Sequence, residues 1–122
     1  NMQFECEQHD AKFNGSDIIV KIPILHIGSK VYGEILARED YLNADENESL
    51  TFISNEIKET EDNQFKYIAN GKLTCDNYDI VFSSTILRFD YNEGERLYGH
   101  LIFDTPQDFT EIQESSIGIS LL

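Results

Sequence analysis

Asp17-Ile18-Ile19-Val20, then Ile24-Leu25-His26-Ile27, then Lys30-Val31-Tyr32-Gly33-Glu34-Ile35-Leu36 is the stretch on which the fold reading turns. It is echoed downstream by Asp79-Ile80-Val81-Phe82, Ile86-Leu87-Arg88-Phe89 and Arg96-Leu97-Tyr98-Gly99-His100-Leu101-Ile102, with a later turn four residues longer. Residue class matches block by block. We read this as a duplicated β-hairpin, with pseudo-repeats over about 3–60 and 64–122.

Outward from these blocks the pattern stays that of strands. In Asp17–Ile27 both alternating faces are apolar, which predicts a strand covered on both sides. Pro23 lacks a ladder donor and predicts an edge position or a bulge there. Lys30–Arg38 is expected as the return strand, with Val31, Ile35 and Ala37 inward. Phe4–Gln8, Lys12–Phe13 and Leu50–Ile57 read as further strands. Asn70-Gly71 is a hairpin-turn signal between Phe65–Ala69 and Lys72–Cys75. Asp79–Phe89, Arg96–Asp104 and Ile117–Leu122 complete the set. Thr105-Pro106-Gln107-Asp108 carries helix-start chemistry and predicts a short helix ending near Glu114. The fold class expected is all-β: an antiparallel sandwich or barrel of about ten short strands in one domain, with one short helix near the C-terminus.

The 122 residues carry 23 acidic and nine basic side chains, a net charge of −14. Such a balance disfavours nucleic acid and anionic membrane, which bind through Lys and Arg, and favours cationic partners. No apolar run reaches the length of a membrane span. Asn1-Met2 reads as an initiator methionine behind a tag residue, followed by the polar Gln3–Glu7, so a cytoplasmic location is expected. Cys6 and Cys75 are then reduced thiols, with no spacing suited to zinc.

No chemistry-bearing motif stands out. His9, His26 and His100 fall in different elements, and the repeat sets Arg88 opposite His26 and Glu34 opposite His100. Paired carboxylates are too many to single out a glycosidase pair. Asn43–Glu48 lacks the order and glycine of a calcium loop. P-loop, GxSxG, HExxH and dinucleotide fingerprints are absent from the sequence. The expectation is a non-enzyme without metal or cofactor. Tyr32 and Tyr98, each followed by glycine, read as aromatic cover over strand glycine rather than a binding pair.

Charge is the functional lead. Residues 39–62 hold nine acidic side chains against Lys58, and Asp104, Asp108, Glu111 and Glu114 form a second group. The partner-binding residues expected are Asp40, Asp45, Glu46, Glu48, Glu59, Glu61 and Asp62. In size, acidity and lack of catalytic motif the chain resembles bacterial toxin-immunity proteins as a class. That resemblance implies an inhibitor that neutralises a basic toxin such as a nuclease by charge-complementary binding. The alternatives are a β-barrel that holds a small lipid-like molecule, and a non-catalytic adaptor module.

Overall fold

Burial alternates along the chain with the period of two that a half-buried strand requires, from Met2, Phe4 and Cys6 to Ile117, Ile119 and Leu121. The structure, a computed structural model, describes every residue except Asp62, Glu93 and Glu95, and the backbone alone at Tyr78 and Asp79. Among the described residues the strands are β1 (Met2–Cys6), β2 (Asp10–Phe13), β3 (Ile18–Pro23), β4 (Ser49–Glu59), β5 (Tyr67–Cys75), β6 (Tyr78–Phe82), β7 (Ile86–Tyr91), β8 (Leu97–Asp104) and β9 (Ser116–Leu121). They form one sheet in the order β1-β9-β8-β7-β5-β4-β3-β2, with β6 paired to the later part of β5.

A single sheet is not a two-layer sandwich. It curls into an open half-barrel. Phe13 on β2 shows how far it curls: its ring lies 5.2 Å from that of Phe89 on β7 and 5.1 Å from that of Tyr67 on β5. Four strand spacings separate β2 from β7, so a flat sheet would hold them roughly 19 Å apart. The concave side is filled by side chains, with Phe4, Phe52, Phe89 and Phe103 almost wholly buried. Each such ring contributes about 1.5–3 kcal/mol over its exposed state.

Several sequence expectations are corrected. The ladder is not wholly antiparallel, because β1 runs parallel to β9, Met2 opposite Ile117 and Cys6 opposite Leu121. First and last strands can pair this way because no short connection has to join them. β3 is interior rather than an edge. It ends at Pro23, where the missing N–H lets the chain leave the ladder for a 3-10 turn at Ile24–His26.

The return strand expected at Lys30–Arg38 does not form. The Ser29 hydroxyl accepts the N–H groups of Val31 and Tyr32, both at 3.1 Å. The Ser29 and Gly33 backbones bond reciprocally, Gly33 sits at φ +62°, and a 3-10 turn follows at Ile35–Ala37. Val31, expected inside, is 81% exposed, while Leu36 is fully buried. In the second copy the matching block is strand β8, so the two copies take different structures there.

Asn70-Gly71 is not a hairpin turn; β5 runs straight through it. A bulge on β4 sits opposite, with Ser54 paired to Gly71 and Glu56 to Asn70. The glycine is demanded by close approach, since a Cβ at Gly71 would overlap the Ile53 carbonyl and meet Phe52 Cζ at 2.8 Å. Asp79–Phe89 is broken at Ser83–Thr85, where Ser84 takes φ +54° and Thr85 Oγ1 donates to the Phe82 carbonyl at 2.9 Å. The helix expected from Thr105 is two successive turns, with Phe109 N–H bonded to Pro106 O and Ile112 N–H to Phe109 O. The apolar side chains Phe109 and Ile112 are still buried.

Candidate functional site

The acidic loop between the 3-10 turn at Ile35–Ala37 and β4 is rigidly built. Leu42 N–H bonds to Leu36 O, Asn43 N–H to Arg38 O and Ala44 N–H to Ala37 O, folding the loop back on the preceding turn. Asn43 takes φ +51°, a conformation asparagine tolerates better than most residues. Asn47 is almost fully buried and ties the loop from inside. Its amide donates to Leu42 O at 2.9 Å and to Asn43 O at 3.3 Å, and its Oδ1 accepts from Asn77 N–H at 2.7 Å. The Asn77 side chain in turn donates to the Glu46 carbonyl.

Asp76, on the β5–β6 turn, accepts from Ser49 N–H at 2.9 Å and from Ser49 Oγ–H at 3.0 Å. These bonds hold the start of β4 and the β5–β6 turn together. Between them lies a groove of about 530 Å³ whose walls include Asp45, Glu46, Glu48, Asp76, His26 and Leu25. Leu25 is 67% exposed, an apolar side chain at the rim of an acidic surface.

The second acidic segment meets the same loop at Arg38 and Tyr41. The Tyr41 hydroxyl donates to Glu111 Oε2 at 2.9 Å, and the Tyr41 ring packs edge-on against Phe109 with centroids 5.1 Å apart. Arg38 lies 2.9 Å from Asp40 and 3.6 Å from Glu111, and 5.3 Å from the Tyr41 ring centre. Burial and the neighbouring Glu111 carboxylate push the Tyr41 phenol above its ordinary pKa, so it remains a proton donor.

Of the seven partner-binding residues expected, the structure brings Asp45, Glu46 and Glu48 into one groove and pairs Asp40 with Arg38 outside its lining. Glu59 and Glu61 lie elsewhere. Ten residue steps along β4, roughly 33 Å at strand rise, separate Ser49 at the groove from Glu59. Asp62 is outside the described residues. Sequence reasoning missed Asp76 and the exposed Leu25. Asp76 carried no signal, because only the β4–β5 pairing of Leu50 with Cys75 brings it beside residue 49.

The histidines stay apart. His9 Nε2 bonds the Leu122 carbonyl at 3.1 Å, His100 Nε2 lies 3.2 Å from Gln3 Oε1, and His26 is exposed. Cys6 and Cys75 are buried free thiols. Burial raises the pKa of both, and Asp76 helps push Cys75 to about 11. Among the described residues no group of three or more His, Cys, Asp or Glu is placed to hold a metal ion. Among the described residues no helix is long and apolar enough to cross a membrane. Tyr32 packs on Phe4 at 5.8 Å, whereas Tyr98 lies on the outer face of β8 with Arg96 5.3 Å from its ring centre.

No family model and no curated protein matches the chain. Among solved structures it is similar to the YceI protein of Campylobacter jejuni that crystallizes with large solvent channels, at 18% identity and a TM-score of 0.55. It is similar as well to a mutant of that protein with a monobromobimane guest, at 17% identity and a TM-score of 0.56. Each alignment covers 99% of this chain and 82% of the other. The likeness is one of fold.

Proposed function

We propose that this chain is a non-catalytic protein-binding module whose acidic end receives a cationic protein, and that it acts as an inhibitor of a basic toxin such as a nuclease. One observation carries the reading. Two acidic segments far apart in sequence converge on one loop, where Arg38 is paired with Asp40 and Glu111. Asp45, Glu46, Glu48 and Asp76 line the groove beside that loop.

Because the loop is held by buried hydrogen bonds, its charges are preorganised and little ordering entropy is lost when a partner docks. A single-sign surface of this kind steers a basic protein and sets its orientation. Leu25 offers an apolar contact within the charged rim, the mixture that specific interfaces use. The concave face of the sheet, packed with phenylalanine, favours this surface reading over a lipid-like molecule held inside.

The test is capture of partners from a native lysate on the parent chain and on an Asp45→Asn/Glu46→Gln/Glu48→Gln variant, at low and at moderate salt. The reading expects a stoichiometric basic protein on the parent that is depleted on the variant, with association slowed by salt. An equal yield from both baits removes the acidic end as the binding surface. Inhibition of the captured protein's activity by the parent chain tests the toxin-inhibitor role.

A further inference from the structure

β2 ends the strand order, so one of its edges carries no neighbouring strand. A groove of about 750 Å³, lined by Asp10, Ala11 and Lys12 among others, borders the strand. Asp10 and Lys12 are exposed and two residues apart, so they share one face, while the half-buried Ala11 and Phe13 share the other. Unpaired N–H and C=O groups along an edge are a template for another strand, and a lysine placed there ordinarily opposes the pairing. Here Asp10 stands beside it with the opposite charge.

We propose that the free edge of β2 pairs with the same edge of a second copy of this chain, antiparallel about a two-fold axis, so that one sheet runs through both copies. A two-fold interface sets a patch against itself, which requires the patch to be self-complementary. β2 meets that requirement in one register. Residues directly opposite in an antiparallel ladder lie on the same face, so one residue of the strand has to sit at the axis. With Asp10 at the axis, aspartate faces aspartate. With Lys12 there, lysine faces lysine. With Phe13 there, the strands overlap at that residue alone. With Ala11 at the axis, Asp10 faces Lys12 of the second copy, and Lys12 faces its Asp10.

Opposite charges across a ladder attract and like charges repel, so charge selects the Ala11 register. The next strand extends the pattern, because Lys21 on β3 lies opposite Asp10. Each Asp10 then stands between Lys21 of its own chain and Lys12 of the second copy. The small Ala11 side chain at the axis leaves the strands room to approach. Each copy carries a net charge of −14, and the repulsion between them is largely screened beyond about 8 Å at physiological salt.

Sedimentation equilibrium of the full chain at physiological salt, from micromolar to near-millimolar concentration, reads the association. A monomer–dimer equilibrium is expected. Asp10→Lys sets lysine against lysine at both pairings, and Lys12→Asp sets aspartate against aspartate. Each variant alone should dimerise roughly tenfold or more weakly than the parent. Mixed in equal amounts, the two variants oppose unlike charges again and should form a heterodimer with the parent's affinity. Rescue on mixing excludes misfolding of either variant as the cause of its loss. A parent chain that stays monomeric throughout overturns the proposal and leaves the edge to another partner. Single variants that associate like the parent, or a mixture no tighter than either variant alone, overturn it as well. The Asp45→Asn/Glu46→Gln/Glu48→Gln variant should dimerise at least as tightly as the parent. Loss of its dimer would place the contact at the acidic end instead.

Discussion

The Tyr41 hydroxyl donates to Glu111 Oε2 at 2.9 Å across 70 residues of sequence, and that bond joins the two acidic segments of the chain. The ring beneath it is buried against Phe109. Tyr41→Phe removes the hydroxyl and keeps the ring. It should lower stability by about 1–2 kcal/mol, since the acceptor is a carboxylate that can turn to water. Urea unfolding reads the loss. A change below a few tenths of a kcal/mol would show that the segments are held by the aromatic pair alone.

Asn47 is the internal tie of the groove loop. Asn47→Ala leaves the carbonyls of Leu42 and Asn43 and the N–H of Asn77 without their side-chain partners. A loss of roughly 1–3 kcal/mol is expected, because the Leu42 carbonyl loses its amide donor and the Asn77 N–H its acceptor, while the Asn43 carbonyl keeps the N–H groups of Glu46 and Asn47. Hydrogen exchange should rise first at residues 42–48 and 76–77. Uniform loss of protection over the whole sheet would contradict a local role.

Gly71 lies where β5 passes the bulge on β4. Gly71→Ala forces a Cβ onto the Ile53 carbonyl, which is backbone and cannot rotate away. Destabilisation of roughly 1–3 kcal/mol follows, of the size of core overpacking. Gly28→Ala is the control, because a Cβ there meets nothing within 4 Å and its φ is ordinary. Matching melting temperatures for the two variants would refute the close-approach account.

His100 supplies a pH dependence. Burial chiefly, with the nearby Arg88 charge, holds its pKa below the ordinary value of 6.5. The unfolded chain therefore takes up the proton first as pH falls. The contribution to stability is complete above about pH 6.5 and is lost as pH drops through the folded-state value. Comparing urea unfolding at pH 7.5 and 5.5, His100→Gln should show a smaller loss than the parent. An identical pH response in both would assign the effect to other groups.

Strand content was legible because it rests on local alternation. β1, β4, β8 and β9 fall within two or three residues of the stretches read from periodicity. The first copy of the repeated blocks misled at its end, where Val31, Ile35 and Ala37 look like an inward face. The Ser29 hydroxyl and the left-handed Gly33 commit the chain to turns instead, and Leu36 takes the buried place. Tyr32-Gly33 and Tyr98-Gly99 share letters and differ in structure. One is a turn and the other a strand, because only β8 has neighbours on both sides to pair with.

From residue order alone came the all-β class, the excess of negative charge and the identity of the acidic segments, each a property of composition or of neighbours two residues apart. The tertiary structure decided the rest. It separated Glu59 and Glu61 from Asp45, Glu46 and Glu48, brought Glu111 to Tyr41, and added Asp76 to the groove wall. It also placed Lys12, Lys21 and Arg96 around one groove. Those relationships depend on strand order and register, which long-range backbone pairing sets and local pattern does not encode.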